Sequence, residues 1–244
     1  MAAFKVLLEY DGTRYSGWQE QQNARTVMGE LRKAAREVLG VDPEMQGAGR
    51  TDAGVHALGQ VVNFFSDKEF DRHRIQRALN ALTPEDITIR DAEIVPDSFD
   101  ARRDGRSRVY EYRILNRSTP SPFHLNRAWH LHDFLDVAVM RESIFCLEGE
   151  HDFSSFRASG CDAPHPIRTV YRTSLDQAGE ILVFTIEATA FLRHMARNIV
   201  GTLVEVGRGE RTPRSFAELM EARDRTKAGP TAPPHGLFLI DVKY

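Results

Sequence analysis

Cysteine is almost absent from this chain: among its 244 residues there are only two, Cys146 and Cys161. No Cys-x-x-Cys pair exists, so the sequence shows neither the ligand spacing of a zinc site nor a disulfide framework. Cys146 lies in an apolar stretch with helical spacing, and we expect it to pack in the core. The cysteines therefore indicate neither a metal site nor covalent cross-linking.

Lysine is also scarce, because arginine supplies 27 of the 32 basic residues, and the formal net charge is −3. The negative sum argues against a nucleic-acid partner, yet a basic face can lie on an acidic body. Arginine binds phosphate through a bidentate fork and stacks on bases, which lysine does not. The excess of arginine over lysine is compatible with RNA binding, and equally with a codon or thermal bias toward arginine.

Long apolar runs are missing as well. None approaches the roughly 18 residues that a membrane span needs. The start of the chain, residues 1–5, leads into a strand-like segment without the layout of a signal peptide. We therefore expect a soluble, cytoplasmic protein whose length allows one large domain or two coupled ones.

What the sequence does contain is an alternation of strand and helix signals in both halves. Strands are predicted near residues 3–10, 60–65, 87–95, 109–115, 128–132, 169–176, 181–189 and 237–243. Helices are predicted after the cap Thr26, near 71–82, 135–148 and 191–206, and after Thr212-Pro213. This alternation suits helices packed on one face of a sheet, although the pattern does not distinguish parallel from antiparallel pairing.

The most distinctive segment is residues 47–60, GAGRTDAGVHALGQ. Its glycines allow positive φ and a close approach of the backbone to a partner. It is neither a dinucleotide fingerprint nor a P-loop, because Asp52 stands where the third glycine would be, and Val55 follows Gly54 where a lysine would be. A carboxylate at the tip of such a loop, beside Arg50, is a candidate nucleophile. The alternative is an ordinary turn in which Asp52 binds backbone amides.

The whole string Gly49–Ala57, GRTDAGVHA, resembles the signature of the tRNA pseudouridine synthases that act on the anticodon stem-loop. Further blocks resemble that family in its order, and the match runs from about residue 4 to the end of the chain. These blocks are Arg108–Tyr112 (RVYEY), Asp152–Arg157 (DFSSFR), Phe191–Gly201 (FLRHMARNIVG) and the segment that begins Gly236-Leu237.

The resemblance implies the roles of individual residues. Asp52 is the expected catalytic nucleophile, attacking either C1′ or the uracil ring, and a route through a glycal also stays open. Arg50 is the expected substrate-binding arginine that fills the space left by the flipped base. It is also a candidate cation beside Asp52, with Arg193 as a second candidate. An ordinary structural ion pair between Arg50 and Asp52 is the alternative. Tyr110 is expected to stack on the uracil, and Leu237 to wall its other side.

Two further arginines, Arg193 and Arg197, are candidates for RNA binding. Both fall within the predicted helix 191–206 at a spacing of four residues, where they would share one face. A polar face of that kind can meet phosphates, and it can equally be a solvated helix surface.

The resemblance also implies an α+β fold. It consists of two subdomains, each like an RNA-recognition module (ferredoxin-like), at residues 1–104 and 105–244. Their sheets are expected to join into one mostly antiparallel sheet, with helices on one face and the active cleft between the halves. The expected partners are the anticodon arm of tRNA and a second copy of the chain, with no membrane, no metal and no small-molecule cofactor.

Two other functions stay open. A non-catalytic RNA-binding protein on the same platform is disfavoured, because such modules show aromatic-rich strand motifs rather than an acidic residue at the centre of the main loop. A nucleoside glycosidase would need a second, acid-acting carboxylate, and none stands out. The resemblance thus implies, as the leading expectation, an isomerase that converts uridine to pseudouridine at tRNA positions 38, 39 and 40.

Overall fold

The structure, a computed structural model, describes residues 2–68 and 70–244. By contacts it divides into two compact units. The first runs to Arg106 and includes Phe238–Tyr244, and the second is Ser107–Leu237. The predicted division into domains at residue 104 stays a prediction.

The first unit consists of strands around a central β1 and two helices. The strands are β1 (Ala2–Tyr10), β2 (Met45–Gly47), β3 (His56–Ser66) and β4 (Ile87–Val95). The helices are α1 (Val27–Leu39) and α2 (Arg72–Asn80). Pairing is antiparallel between β4 and β1, between β1 and β3, and between β3 and β2. The last strand of the chain, β10 (Leu237–Lys243), pairs parallel with β3.

Local sequence signals explain the elements of this unit. Side chains in β1 are buried at alternate positions, with Phe4 stacked on Phe64 of β3 at 5.8 Å between ring centroids. Thr26 caps α1 by accepting the Gly29 N–H, and Gly40 ends the helix in the left-handed conformation. Each large apolar side chain buried in this way stabilises the fold by about 1.5–3 kcal/mol.

The second unit has five strands and three helices. The strands are β5 (Ser107–Asn116), β6 (Trp129–Leu131), β7 (Gly149–Asp152), β8 (Ile167–Ala178) and β9 (Ile181–Ala188). The helices are α3 (Val137–Ser143), α4 (Met195–Gly207) and α5 (Pro213–Ala222). The order β5–β9–β8–β7 is antiparallel, and β6 pairs parallel with β5. Helix α4 packs on β5 and against α3 and α5.

The α+β class and the mostly antiparallel pairing are thus confirmed. Within the two described ranges, no helix has both the length and the apolar character needed to cross a membrane.

The prediction of a helix from residue 191 was wrong at its start, because α4 begins at Met195. His194 takes a left-handed conformation with φ of 61°, which cannot continue a right-handed helix. Residues 193–194 form a turn before the helix. Arg193 and Arg197 therefore do not share one helix face.

Candidate active site

The loop of residues 48–55 connects β2 to β3 and carries Arg50 and Asp52. Thr51, between these two residues, is only 8% exposed and is the residue through which the loop is bonded to segment 10–18. The Thr51 hydroxyl is hydrogen-bonded to the hydroxyl of Tyr10 at 2.7 Å. The Thr51 carbonyl accepts the N–H of Trp18 at 3.0 Å. The residue before Asp52 is therefore held through both its side chain and its backbone.

Segment 10–18 reaches this loop because glycines leave room for it. A Cβ at Gly12 would lie 2.0 Å from the Val55 carbonyl oxygen. Gly17 has φ of 93°, and a Cβ there would lie 2.8 Å from the Thr51 carbonyl oxygen. Both positions therefore need glycine, because no side chain fits so close to a backbone oxygen.

Asp52 itself is half-buried between buried Thr51 and exposed Ala53. On its C-terminal side the backbone turns, since the Val55 N–H donates to the Asp52 carbonyl at 3.1 Å. Gly54 takes a φ of 78° in this turn, and its N–H donates to the Tyr15 carbonyl at 3.3 Å. The carboxylate is thus carried by a backbone that is fixed on both sides.

Arg50 is exposed at the surface of the same loop. Among the residues that the structure describes, its guanidinium forms no salt bridge, with Asp52 or with any other carboxylate. An ordinary structural ion pair within the loop is therefore not what this arginine makes here.

His56 follows the loop and is almost wholly buried. Its Nδ1 lies 3.1 Å from the Gly12 amide nitrogen and 3.1 Å from an Asp11 carboxylate oxygen. The ring stacks on Phe238 at 4.6 Å between centroids. These contacts hold the loop and segment 10–18 together.

Tyr110 lies in the second unit, on β5, and is 7% exposed. Its ring meets Phe191 edge-on at 4.7 Å between centroids, and its backbone pairs with Ile186 of β9. Arg108 lies two residues earlier and donates to the Thr189 carbonyl at 3.1 Å. Tyr110 is therefore held among packed neighbours, in a fixed orientation.

Leu237 is the first residue of β10 and is also buried. The turn before it passes close to Tyr112, because a Cβ at Gly236 would lie 2.7 Å from that ring. The Tyr112 hydroxyl donates to the Pro233 carbonyl at 2.7 Å, and burial raises the pKa of this phenol far above its usual value. Tyr112 therefore stays a neutral donor that fixes the segment leading to Leu237.

The two predicted RNA-binding arginines have different surroundings. Arg193 precedes α4, is exposed, and donates weakly to the Gly160 carbonyl at 3.3 Å. Arg197 lies within α4, and its Nε donates to the Ala232 carbonyl at 2.8 Å, while the Ala232 N–H donates back to the Arg197 carbonyl at 3.1 Å. Arg197 thus holds the loop before β10, whereas Arg193 is open to solvent.

Sequence reasoning missed the residues that support the loop, above all Tyr10, Gly12, Gly17 and Trp18. Their signal is the run YDGTRYSGW at residues 10–18, which places two glycines among aromatic residues. Within the described residues, no group of three His, Cys, Asp or Glu side chains is arranged to hold a metal ion.

Fold and loop together define an α+β protein that presents one carboxylate from a firmly bonded, glycine-rich loop. A family model described as tRNA pseudouridine synthase matches residues 6–104 and 144–244. The tRNA pseudouridine synthase A of Myxococcus xanthus is 44% identical over 245 residues, covering 100% of this chain and 92% of that protein. The protein of the same name from Paramagnetospirillum magneticum is 43% identical over 245 residues, covering 100% of this chain and 96% of that protein.

The chain therefore belongs to the tRNA pseudouridine synthase family. A pseudouridine synthase is an intramolecular isomerase, because the uracil that leaves the ribose through N1 is rejoined to it through C5.

Proposed function

We propose that this protein isomerises uridine to pseudouridine at positions 38, 39 and 40 in the anticodon stem-loop of tRNA, with Asp52 as the nucleophile. The reaction breaks the N1–C1′ bond and forms a C5–C1′ bond, with no net redox change and no second substrate. A carboxylate can take up the bond that ribose or uracil temporarily gives up. The observation that carries the proposal is the half-buried Asp52 on a loop fixed on both sides.

Other residues take roles around this step. A uridine in a stem must leave the stack before its glycosidic bond can be reached. Arg50 is exposed and forms no salt bridge among the described residues, which supports its insertion into the vacated space. Tyr110 and Leu237 are proposed as the two surfaces that hold the detached base. Arg193, exposed ahead of α4, is proposed to meet RNA phosphate, and Arg197 to contribute charge beside it.

We further infer two subdomains like RNA-recognition modules, at residues 1–104 and 105–244. The β1–α1–β2–β3–α2–β4 succession of the first unit, in the spatial order β4–β1–β3–β2, supports this for the N-terminal half. A homodimer in the cytoplasm completes the proposal. Large exposed apolar side chains on the second unit support the dimer.

The test is to incubate the protein with unmodified tRNA and to map pseudouridine at single-nucleotide resolution. Asp52→Asn keeps the shape and removes the charge, and we expect it to lower the rate by at least about 10³-fold. The matched control is Asp97→Asn, an exposed carboxylate outside the loop, which should keep the wild-type rate. Binding without product would favour the non-catalytic RNA-binding protein, and release of free uracil would favour the glycosidase.

A further inference from the structure

We propose that Thr51 is a positioning residue for Asp52, acting through its hydrogen bond to Tyr10. This inference rests on the proposed function, because it concerns how the nucleophile is aimed. Thr51 does not need to touch RNA for this role. Its side chain is buried and points into the protein, toward the Tyr10 hydroxyl at 2.7 Å.

The partners of Thr51 form one packed unit of their own. The ring of Tyr10 stacks on that of Trp18 at 5.9 Å between centroids, and Trp18 is 1% exposed. Trp18 also donates its backbone N–H to the Thr51 carbonyl at 3.0 Å, and its indole lies where a Cβ at Gly47 would stand. Thr51 is therefore bonded on two sides to a stacked aromatic pair that cannot shift without disturbing the core.

This attachment controls where Asp52 can be. Consecutive Cα atoms are 3.8 Å apart, so fixing Thr51 narrows the positions open to the Asp52 Cα. The bond from the Gly54 N–H to the Tyr15 carbonyl, at 3.3 Å, fixes the far side of the same turn. A misplacement of about 1 Å at a reacting group can cost about 10²-fold in rate. The Thr51 hydroxyl is thus worth more to the reaction rate than to substrate binding.

The variant that isolates this hydroxyl is Thr51→Val, which keeps the branched shape and removes the hydrogen bond. We expect the steady-state kcat on tRNA to fall about 10- to 100-fold, while KM stays within about threefold. Thr51→Ser, which keeps the hydroxyl, should return kcat to within about fivefold of wild type. The control is Thr83→Val, because the Thr83 hydroxyl has no hydrogen-bond partner within the described part of the chain. It should leave kcat within twofold.

A second measurement tests how readily the loop opens, independently of catalysis. Amide hydrogen exchange across residues 48–55 should quicken at least about tenfold in Thr51→Val and stay at the wild-type rate in Thr83→Val. Should Thr51→Val fail to fold, Tyr10→Phe removes the same hydrogen bond from the other side and should show the same two effects.

The inference is overturned if exchange in the loop is unchanged, or if kcat of folded Thr51→Val stays within twofold of wild type. It is likewise overturned if serine and valine at position 51 lower kcat equally. Wild-type protein that makes no pseudouridine, with faster exchange still seen in Thr51→Val, would reject the proposed function and leave the mechanical role of Thr51 supported.

Discussion

At the scale of single residues, Arg50 and Asp52 show how two charged neighbours can serve different purposes. Asp52 is half-buried on a turn fixed by backbone hydrogen bonds, whereas Arg50 is exposed. Arg50 forms no salt bridge within the described residues, so its removal breaks no ion pair of the fold.

Replacing Arg50 with alanine should therefore harm activity and spare stability. We expect Arg50→Ala to lower kcat/KM about 10- to 100-fold, because the flipped state loses the group that fills the stack. The free energy of unfolding should change by less than about 0.5 kcal/mol, as for ordinary surface substitutions. Denaturant titration and single-turnover kinetics check the two effects. Arg36→Ala, an exposed arginine at the end of α1, is the control, and an equal loss of activity there would contradict the prediction.

The two cysteines offer a second prediction at this scale, because their surroundings shift their pKa in opposite directions. Burial raises the pKa of the Cys146 thiol to about 11. Burial also acts to raise the pKa of Cys161. The N–H groups of Arg193 and Ala163 and the Arg157 guanidinium outweigh that effect, so the pKa is lowered.

Because the thiolate is the reactive form, iodoacetamide at pH 8 should alkylate Cys161 at least about tenfold faster than Cys146. The rate at Cys161 should level off once the pH passes its lowered pKa, while that at Cys146 should keep rising toward pH 11. Peptide mass spectrometry measures both sites in one sample. In denaturant the two rates should converge, and equal rates in the folded protein would contradict the assignment.

At the scale of elements, the first unit contains a connection that depends on glycine. Gly17 has φ of 93°, and a Cβ there would lie 2.8 Å from the carbonyl oxygen of Thr51. Gly179 has a similar φ of 60°, but nothing lies within 4 Å of its position. An alanine at Gly179 would therefore meet only backbone strain, whereas an alanine at Gly17 would meet both strain and a steric clash.

Gly17→Ala should lower the free energy of unfolding by about 2–4 kcal/mol, since strain and a displaced Thr51 add together. Gly179→Ala should cost about 1–2 kcal/mol through strain alone and keep full activity. Thermal and urea unfolding give the stabilities, and pseudouridine formation gives the activity. Equal costs at the two sites would show that the contact with Thr51 is unimportant.

Elements with local signals could be predicted from the sequence, and those set by distant contacts could not. Strand β4 and the end of β10 match the prediction, and α1 begins after the cap Thr26 as expected. Strand β3 was predicted from residue 60 but begins at His56, because Gly59 lies against β10, where a Cβ would be 2.2 Å from the Ile240 oxygen. That proximity comes from a strand about 180 residues later, which no local pattern reveals.

The same reasoning applies to the candidate site. Its loop could be found from the string GRTDAGVHA because the chemistry is concentrated there. The support from Tyr10 and Trp18 could not, because the hydrogen bonds to Thr51 join residues more than 30 positions apart.

At the scale of the whole molecule, the most exposed large apolar side chains all lie in one unit. Among the described residues, Phe123, Phe134 and Leu125 are 90%, 85% and 70% exposed, and all belong to the second unit. Where exposed apolar side chains form a contiguous patch they mark an interaction surface, so these three are the first candidates for contact with a second copy.

We expect the protein to be a dimer in solution, with a mass near twice the 27.7 kDa of the chain. Light scattering coupled to gel filtration measures this. Phe123→Ser and Phe134→Ser together should shift the population toward monomer, because they remove apolar area that a second copy would cover. Val41→Ser, at an exposed apolar position in the first unit, should leave the dimer intact. A monomeric wild type would contradict the prediction.

The parallel pairing of β10 with β3 has a consequence during synthesis on the ribosome. The strand that completes the Asp52-bearing unit is translated after all of the second unit. A nascent chain in which Phe238 has not yet been made therefore leaves His56 and Ala57 without their partners on β10. A chain that stops before β10 lacks a strand of the unit that carries Asp52.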